Sequence, residues 1–440
     1  MAHVSNNNQL TQDAIGITRL TVSGYKSIRE PSEIEVRPLT ILAGANSSGK
    51  SSMVQPLLMM KQTLEATHDP GSLLLDGPNV RFTKAEQFLC RQSRTSYQDL
   101  IIGVEIDERF LLKNTFHFRE TREIELIRAV YGHTEIRPEM DEDEIVAQLP
   151  PELLETKPRM QEALSQPLEW YVSRNRCLLE FGLRIPDGGQ VFSLGPSFQH
   201  EHHIGRVIHV PGLRGNPERT YRVTPITGPR FHGTFESYVA SVVSQWKASD
   251  RSRLTTLGAT LRMLGLTWKV SSEPIDDTQV ELRVGRLRQA AVGGARDLVS
   301  IADVGFGVSQ VLPVLVALLV ARRGQLVYLE QPELHLHPKA QHGLANILAE
   351  AAQRGVRVIV ETHSSILLLG IQTLIAQGKL DCNLVKLHWF TQNENGCTTI
   401  TSRDVDSTGA YGDWPEDFAD AELEAQGAYL DAVEMKEEGG

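Results

Sequence analysis

The chain has 440 residues, of which 41% are hydrophobic and 22% charged, with a formal net charge of -11 and a pI of about 5.7. This composition is typical of a soluble globular protein, and the length allows two or three domains or one large core carrying an insertion. The acidic balance excludes a uniformly basic nucleic-acid-binding coat but not a local basic groove. The longest apolar stretch, residues 311–321, is too short to span a bilayer, and the polar first 16 residues do not resemble a signal peptide. The four cysteines are scattered. We therefore expect a cytoplasmic protein with no membrane contact, disulfide frame or zinc site.

Short β-branched runs bounded by turn residues predict two strands near the N-terminus, at 17–22 and 39–43. A glycine-rich loop follows the second strand, and residues 51–66 after it predict a helix that contains Pro56. Acidic residues with helical spacing and a Pro-Pro break indicate a helical surface excursion at 141–164. Further along the chain, the patterns predict strands at 176–183 and 207–211 and amphipathic helices within 235–264.

From about residue 297 onward, helices and buried strands alternate, which is the pattern of a parallel sheet. The predicted order is helix 309–320, strand 325–329, helix 339–353, strand 356–360 and helix 365–378. Two further runs, 384–390 and 398–403, are separated by Asn-Glu-Asn-Gly and predict a hairpin. The acidic segment from Glu416 is interpreted as helical or loose, and the chain has no long heptad array that would form a coiled-coil arm.

Residues 44–51, Gly-Ala-Asn-Ser-Ser-Gly-Lys-Ser, match the whole phosphate-binding pattern G-x-x-x-x-G-K-[ST] between a predicted strand and a predicted helix. The glycines allow backbone N–H groups to surround phosphate oxygens, Lys50 reaches the β- and γ-phosphates, and Ser51 supplies an oxygen to Mg2+. A simple Gly/Ser loop with a surface lysine is the alternative, which this strand-loop-helix context disfavours. The sequence therefore predicts a site for ATP and Mg2+. The predicted nucleotide-contacting residues of this loop are Gly44, Asn46, Ser47, Ser48, Gly49, Lys50, Ser51 and Ser52.

Polar residues end the next two predicted strands. Glu330 follows an apolar strand, where a carboxylate would lie near the phosphate loop, and it is the candidate ligand of Mg2+ together with Ser51. A solvated carboxylate at a strand end is the alternative reading. His363 ends the following strand, where its ring could contact a γ-phosphate or orient water.

The phosphate loop, the strand end at Glu330 and the strand end at His363 together resemble the motifs of the ABC-type ATPases of the SMC, RecF and OLD branch. The resemblance covers roughly residues 1–75 and 290–405. Residues 24–28 look like the opening strand and turn of those heads, often near the adenine base. Residues 330–338 look like their Walker B motif and D-loop, His363 matches the switch histidine, and residues 303–310 stand where the signature motif is expected. The likeness is closest to stand-alone bacterial ATPases of this branch, which share two further short segments, Pro-Gly-Leu-Arg at 211–214 and Asp-Trp-Pro at 413–415.

The resemblance implies that two heads close around two ATP molecules, each phosphate loop facing the signature loop of the other subunit. Gly305 and Gly307 would then approach the γ-phosphate bound by the partner. A flexible lead-in to the next helix is the alternative interpretation of this glycine-rich segment. The resemblance also offers Arg214 as a charge-stabilising arginine, with a structural ion pair as an equal alternative, and Gln87 or Gln92 as the Q-loop residue.

Two positions depart from the family pattern. The usual signature serine is replaced by Gly305, with Ser309 displaced along the chain. The residue after Glu330, usually the catalytic glutamate, is Gln331, whose amide can position water but cannot accept its proton. Glu333 or His363 could substitute for it, so the predicted catalytic set is Glu330, Gln331, Glu333 and His363. Otherwise hydrolysis is slow and ATP acts mainly by holding the protein in one state.

We expect an α/β fold, a P-loop NTPase head of the ABC type with a mainly parallel sheet and an inserted α+β or helical lobe. The predicted division is 1–75 for the first part of the head, 76–285 for a middle lobe with strands returning to the head, and 286–440 for the second part with the acidic tail. Only about 60 residues follow the switch-histidine helix, which is too few for the TOPRIM nuclease domain of the OLD nucleases.

Other clusters carry less weight. His200, His202 and His203 lack a carboxylate or cysteine set that would complete a metal site, so a surface loop is favoured. His335 and His337 fall inside the D-loop pattern, where a dimer contact is preferred to zinc binding. A group of arginines could form a strip for phosphate backbones, although a solvated face explains them equally well. These arginines are Arg283, Arg286, Arg288 and Arg296.

Three functions compete. The first is an ATPase switch that dimerises through its heads and gates a separate effector, such as a nuclease or toxin, in a bacterial anti-phage defence or DNA-surveillance complex. The second is a RecF-like repair ATPase that binds DNA directly, with strongly salt-dependent affinity. The third is a nucleotide sensor that scarcely turns over, for which Gln331 is the supporting feature. A P-loop kinase is disfavoured because nothing resembles a lid or an acceptor site.

Overall fold

The computed structural model describes residues 15–92, 95–96, 99–119, 123–186, 188–195, 197–226, 228–287, 289 and 297–412. The strands of the N-terminal half are β1 Ile17–Ser23, β2 Ser32–Glu35, β3 Leu39–Gly44, β4 Arg91–Gln92, β5 Thr95–Ser96, β6 Asp99–Ile106, β7 Phe110–Phe118, β8 Ile124–Tyr131, β9 Thr134–Ile136, β10 Glu169–Asn175, β11 Leu178–Arg184, β12 Gln190–Leu194, β13 Ile208–Val210 and β14 Tyr221–Arg222. Those that follow are β15 Val270–Pro274, β16 Gln279–Gly285, β17 Leu298–Ser300, β18 Leu326–Glu330, β19 Arg357–Glu361, β20 Val385–Gln392 and β21 Thr398–Asp404.

The α-helices, in the same order, are α1 Lys50–Glu65, α2 Glu142–Gln148, α3 Pro151–Leu154, α4 Thr156–Leu164, α5 Phe198–Ile204, α6 Val239–Ser249, α7 Arg251–Met263, α8 Phe306–Val320, α9 Pro338–Gln353 and α10 Ser365–Ala376. Short 3-10 turns lie at Ala85–Gln87, Phe235–Tyr238, Ile301–Asp303 and Cys382–Leu384. No described helix has the length and apolar character needed to cross a membrane.

The central sheet has the order β13-β18-β19-β3-β20-β21. Its first five strands are parallel, and β21 returns antiparallel to β20 as a hairpin. Every residue of β3 is buried, as expected for a parallel strand covered on both faces. Alternate side chains enter different cores: Leu39 and Ile41 pack with helices α6 to α10, whereas Leu42 packs against α1. The carboxyl ends of β3, β18 and β19 therefore meet at one edge of this sheet.

A second sheet, β2-β1-β6-β7-β8-β9, is antiparallel throughout. Helix α1 packs between it and the central sheet, where its Met53 and Leu57 join the same core as Leu20 and Val104. Most residues of α1 are buried, including the polar Lys61, which explains why its sequence has little amphipathic contrast. The phosphate loop thus sits at the start of a helix fixed on both sides.

Smaller sheets complete the fold. Strands β10, β11 and β12 form one of them, and β14, β16, β15 and β17 form another that packs on α6. The predicted division at residues 75 and 285 stays a prediction; in the structure β6 to β9 extend the sheet of β1, and β13 pairs with β18 in the central sheet.

The predicted strands and helices are found, with boundaries shifted by a few residues. Helix α8 begins at Phe306 and not at 309, and Arg176 lies in the β10–β11 turn with a φ of 53°. The predicted excursion at 141–164 consists of the three short helices α2, α3 and α4. The parallel sheet and the hairpin of β20 and β21 are confirmed, and the segment from Glu416 lies outside the described residues.

Candidate nucleotide-binding site

The loop between β3 and α1 has a backbone that only particular residues can adopt. Gly44 and Gly49 have φ values of 140° and 103°, and Ser47 between them has a φ of 61°. A Cβ atom on Gly44 would lie 2.2 Å from the carbonyl oxygen of Phe390, and one on Gly49 would lie 2.2 Å from Oγ1 of Thr398. Glycine is therefore needed at both positions for the left-handed backbone and for the close approach of the β20–β21 hairpin.

That hairpin also bonds to the loop directly. Gln392 donates from Nε2 to the carbonyl oxygen of Ser47 at 2.7 Å, and the Thr398 hydroxyl donates to that of Ser48 at 2.8 Å. With these two carbonyl groups directed toward the hairpin, the loop is braced from the side of β20 and β21. Neither Gln392 nor Thr398 was identified from the sequence, because nothing in a hairpin pattern shows which element it packs against.

Lys50 folds back over the phosphate loop. Its Nζ donates to the carbonyl oxygens of Gly44 and Ala45 at 3.0 and 2.7 Å, and the residue is only 3% exposed. Burial lowers the pKa of Lys50, while the charges of Glu361 and Glu333 oppose that change. The structure thus places the ammonium group inside the curve of the loop, where a phosphate-binding lysine belongs.

The hydroxyl group of Ser51, the first residue after Lys50, faces a buried carboxylate. Its Oγ lies 2.9 Å from each carboxylate oxygen of Glu361, the last residue of β19. The hydroxyl of Tyr328 donates to Oε2 of the same group at 2.8 Å. Burial raises the pKa of Glu361, with the neighbouring charge of Glu330 acting in the same direction.

Glu330, the predicted Mg2+ ligand, is directed elsewhere. Its Oε1 lies 3.1 Å from Nε2 of His209, and its Oε2 accepts a hydrogen bond of 3.0 Å from the backbone N–H of Gly212. Burial tends to raise the pKa of Glu330, but the hydrogen bond and charge of His209 outweigh it and hold that pKa below its ordinary value. The structure therefore brings Ser51 together with Glu361, which the sequence analysis did not assign, and the hydrogen bonds of Glu330 lead to β13.

Gln331 and Glu333 follow Glu330 in a tight turn. Gln331 has a φ of 43°, and its N–H donates to the carbonyl oxygen of Glu361 at 2.8 Å. Oε1 of Glu333 accepts from Oγ1 of Thr362 at 2.5 Å and from the N–H of His363 at 3.1 Å. Burial raises the pKa of Glu333. Glu333 thus ties this turn to the end of β19, and Gln331 is the member of the pair that reaches the cavity described next.

An open cavity of about 470 Å3 lies over the phosphate loop. Its lining consists of Lys26, Ser27, Asn46, Ser47, Ser48, Gly49, Lys50, Ser51, Ser52, Gln55, Gln331, Glu361 and His363. Burial lowers the pKa of His363, the nearby charge of Lys50 lowers it further, and a hydrogen bond to the backbone of Gly44 opposes both. Seven of the eight predicted loop residues, Asn46 to Ser52, line this cavity. The eighth, Gly44, lines a neighbouring cavity of about 400 Å3.

The signature candidates lie away from this cavity. Gly305 caps α8, and no atom of the described residues lies within 4 Å of a Cβ placed on it. A Cβ on Gly307 would approach Leu266 and the carbonyl oxygen of His335. Neither glycine is among the described residues that line the cavity. Within one chain, therefore, the structure does not bring the signature segment to its own phosphate loop.

Several further predictions can be placed. Tyr25 is completely buried, so the turn at 24–28 presents Lys26 and Ser27 to the cavity. Arg214 donates from Nη2 to the carbonyl oxygen of Gln331 at 2.9 Å, beside the cavity and not in it. Oε1 of Gln87 accepts from the N–H of Thr83 at 2.8 Å in a local exposed turn, and the side chain of Gln92 lies outside the described residues.

The histidine cluster lies on helix α5 and not on the predicted surface loop; His200 and His203 are buried, and none of the three lines the cavity over the phosphate loop. Burial lowers the pKa of His203 to about 3, and Nε2 of His200 lies 3.1 Å from the carbonyl oxygen of Phe110. In the part of the chain that the structure describes, no group of three or more His, Cys, Asp or Glu residues could hold a metal ion. His337 uses its Nδ1 to accept from the N–H of Lys339 at the start of α9.

The residues present fit both ATP and Mg2+. The two glycines provide a cradle that a Cβ would fill, and the helix N-terminus at Lys50 directs its N–H groups toward that cradle. Ser51 and Glu361 offer the hard oxygen atoms that Mg2+ prefers. A phosphate loop before a central helix, on a parallel sheet whose neighbouring strands end in Glu330 and in Glu361 followed by His363, is the arrangement of a P-loop nucleotide-binding fold of the ABC type.

Residues 273–369 match the family described as "AAA domain, putative AbiEii toxin, Type IV TA system". This segment contains α8, β18, α9 and β19, with Glu330 and His363, and does not include the phosphate loop. The match agrees with the resemblance to ABC-type ATPases over this segment, which is less than a quarter of the chain. No curated protein sequence gives a significant match.

Solved SMC head structures align along most of the chain, each with a TM-score under 0.5. The SMC head bound to the C-winged helix domain of ScpA has 11% identity and a TM-score of 0.48, covering 89% of this chain and 98% of its own. The SMC head domain from Thermotoga maritima has 12% sequence identity and a TM-score of 0.40, and the alignment covers 89% of this chain and 99% of that one. A third structure is the Smc head domain with an extended coiled coil, bound to the C-terminal domain of ScpA derived from Pyrococcus furiosus. It has 9% sequence identity and a TM-score of 0.44, and the alignment covers 96% of this chain and 100% of that one.

Proposed function

We propose that the chain binds ATP with Mg2+ over its phosphate loop and hydrolyses it. The observation that carries this proposal is the position of Lys50, whose ammonium group lies inside the loop at 2.7 Å from the carbonyl oxygen of Ala45, at the edge of the 470 Å3 cavity. Bound Mg2+ would supply charge neutralisation at the phosphates, held on the protein side by Ser51 and a strand-end carboxylate. His363 and Gln331 line the same cavity, and in this proposal they contact the γ-phosphate and its attacking water.

A second copy of the chain is the proposed partner for the heads. Two large apolar side chains are exposed beside the turn that borders the cavity: Leu213 is 93% exposed and Phe306 is 52% exposed. Leu213 adjoins Arg214, which bonds to Gln331, and the ring of Phe306 lies 6.1 Å from that of His335. A head-to-head dimer would cover both side chains and bring Gly305 and Gly307 to the nucleotide of the other subunit.

We further propose that ATP-driven closure and reopening make this protein the switch subunit of a bacterial defence or DNA-surveillance complex. The family description, which names a toxin of a Type IV TA system, supports a role of this kind. Gln331 supports a long-lived closed state, because its amide cannot accept the proton of the attacking water. In this role the effector, a nuclease or toxin, would be a separate protein.

Direct DNA binding has less support. Of the four arginines of the predicted strip, Arg288 and Arg296 lie outside the described residues, and Arg283 donates from Nη2 to the carbonyl oxygen of Leu298 at 2.8 Å within its own sheet. The nucleotide-sensor alternative keeps the specific support of Gln331. Steady-state hydrolysis separates these functions.

The first prediction concerns Lys50→Ala. We expect this variant to lose ATP hydrolysis to background, because the ammonium group that reaches the phosphates is gone. The measurement is phosphate release by the purified chain with Mg2+, with and without duplex DNA.

Lys379→Ala, an exposed lysine after α10, is the matched control and should hydrolyse ATP like the unmodified chain. Stimulation by DNA would favour the repair function. Hydrolysis that survives in Lys50→Ala would refute the assignment of the site, and ATP binding with no turnover in the unmodified chain would favour the sensor.

A further inference from the structure

Two carboxylates end neighbouring parallel strands and turn in opposite directions. Glu330 of β18 and Glu361 of β19 are register partners at the carboxyl edge of the central sheet. The Glu330 side chain is directed toward β13, where it meets His209 and Gly212, whereas the Glu361 side chain is directed toward β3 and α1, where it meets Ser51. The two carboxylates are thus chemically alike but have different hydrogen-bond partners.

The oxygens of Glu330 are both occupied by the protein. His209 holds Oε1, and its other ring nitrogen is fixed by Oδ1 of Asn79 at 3.1 Å. The His209 ring also stacks on that of Tyr328, with centroids 5.5 Å apart. The N–H of Gly212 holds Oε2. Because this set of contacts joins β13, β18 and the loop at 212–214, Glu330 serves to position that loop beside the cavity.

Glu361 differs from Glu330 in that its contacts lie beside the phosphate loop. It is only 6% exposed, yet it borders the nucleotide cavity, and both of its oxygens lie 2.9 Å from the hydroxyl oxygen of Ser51. Tyr328, itself completely buried, fixes the carboxylate from the other side through a hydrogen bond of 2.8 Å. A carboxylate beside the phosphate-loop serine, oriented by a buried hydroxyl, is a set of oxygen ligands suited to Mg2+.

We propose that Glu361, and not Glu330, is the carboxylate that holds the Mg2+ of the bound nucleotide together with Ser51. This inference rests on the proposed function, since it concerns the ion that accompanies ATP. It reassigns the metal-binding role from the end of β18 to the end of β19 and leaves Glu330 as a positioning residue for the loop that carries Arg214.

The test is a Mn2+ titration of the full chain in the presence of the non-hydrolysable imidotriphosphate analogue of ATP, with free Mn2+ measured by electron paramagnetic resonance. We expect Glu361→Gln to weaken Mn2+ binding by at least about tenfold, because a neutral amide replaces the charged ligand. Glu330→Gln should weaken it much less while lowering the melting temperature, since it disturbs the contacts of His209 and Gly212.

Glu180→Gln is the matched control for the loss of a buried carboxylate. Glu180 accepts hydrogen bonds from Ser193 and Ser197 on the lobe of β11, away from the cavity, so its substitution should leave Mn2+ affinity unchanged. If Glu361→Gln does not fold, Glu361→Asp keeps the charge, withdraws it by one methylene group and should show an intermediate affinity.

The outcomes are distinct. Loss of Mn2+ affinity in Glu330→Gln, with Glu361→Gln or Glu361→Asp unaffected, would overturn this inference and leave ATP binding intact. Failure of the unmodified chain to bind a fluorescent ATP analogue, with or without metal, would instead overturn the proposed function and this inference with it. Retained binding of the metal-free analogue by Glu361→Gln, with Mn2+ affinity lost, would support both.

Discussion

Gly49 combines two requirements that are usually met at separate positions. Its φ of 103° is a left-handed conformation, and the space where a Cβ would stand is filled by Oγ1 of Thr398 at 2.2 Å. The backbone requirement comes from the start of α1, whereas the steric requirement comes from β21, more than three hundred residues later in the chain. The glycine of the phosphate-loop pattern is therefore also a packing residue in this protein.

Gly49→Ala is expected to lower the free energy of unfolding by about 1–3 kcal/mol, because alanine adds backbone strain and a clash with Thr398. Nucleotide affinity should fall as well, since Thr398 also holds Ser48. Urea titration and binding of a fluorescent ATP analogue would measure the two effects.

Gly215→Ala is the control for this experiment, because in the described part of the chain no atom lies within 4 Å of a Cβ at that position, and its φ is not in the left-handed range. Equal stability of the two variants would contradict the steric argument.

At the residue scale the loop between β3 and α1 was predictable, because its signal is local: strand, glycines, lysine and serine follow one another. The partner of Ser51 was not predictable in the same way. Glu330 and Glu361 both follow apolar strands, and only the order of strands in the sheet, with β3 beside β19 and β13 beside β18, decides which carboxylate faces Ser51. Strand order is not visible in the pattern of one chain.

The element that braces the phosphate loop, the β20–β21 hairpin, contains a buried histidine. Nε2 of His388 lies 2.8 Å from the carbonyl oxygen of Glu35 on β2, so this nitrogen donates, and Nδ1 lies 2.8 Å from Oγ of Ser402 on β21. Burial lowers the pKa of His388 to about 4, with Lys386 lowering it further. The neutral ring thus links β20 to β21 and to β2.

This pKa has a consequence for stability. Because the folded-state pKa of about 4 lies below the ordinary value of 6.5, the folded protein resists protonation. The stability from neutral His388 is complete above pH 6.5 and is lost as pH falls from 6.5 toward 4, up to about 3 kcal/mol. We expect His388→Gln to be less stable at pH 7 but to lose less stability across that pH range.

Thermal or urea midpoints at several pH values between 4 and 7 would measure how steeply stability changes with pH in the unmodified chain and in His388→Gln. His133→Gln, in the exposed β8–β9 turn, is the control and should keep the slope of the unmodified chain. Identical slopes for His388→Gln and the unmodified chain would show that other groups govern the acid response.

At the element scale the helices and parallel strands of the C-terminal half were predictable because their apolar runs are long and regular. The antiparallel strands from β6 to β9 were not identified. Strand β7 shows one reason: its buried positions alternate as Leu112, Asn114, Phe116 and Phe118, and the polar member breaks the hydrophobic pattern. Nδ2 of Asn114 donates a hydrogen bond of 2.7 Å to the carbonyl oxygen of Cys177, whereas its buried Oδ1 has no hydrogen-bond partner among the described residues.

For the whole molecule, the central prediction is nucleotide-dependent pairing of heads. With Mg2+ and the non-hydrolysable ATP analogue, we expect the 48.9 kDa chain to shift to the mass of a dimer in light scattering. Leu213→Asp should abolish the shift, because it places a charge on the most exposed apolar side chain beside the cavity.

Leu164→Asp, at the exposed end of α4, is the control and should leave the shift unchanged. A dimer that forms equally well in Leu213→Asp would contradict the proposed interface. Nucleotide binding measured on the same samples separates a loss of pairing from a loss of the ligand.

At this scale the class of the molecule was predictable from three short motifs, whereas the role in defence and the partner effector stay proposals. Motifs report the chemistry of a site, because that chemistry restricts the residue types. A partner is selected by a surface such as the one around Leu213 and Phe306, and a surface is assembled from segments distant in sequence.

The position of β3 in the central sheet also bears on how the protein is made. Its two neighbours, β19 and β20, lie near the other end of the described chain, so the strand that carries the phosphate loop is synthesised long before either flank exists. Contacts so distant in sequence slow folding, and an apolar strand is prone to aggregate before its partner strands are available for pairing. On the ribosome, we expect the sheet of β1 and β6 to β9 to form first and to shelter α1, so that competence to bind ATP appears only when β20 has emerged.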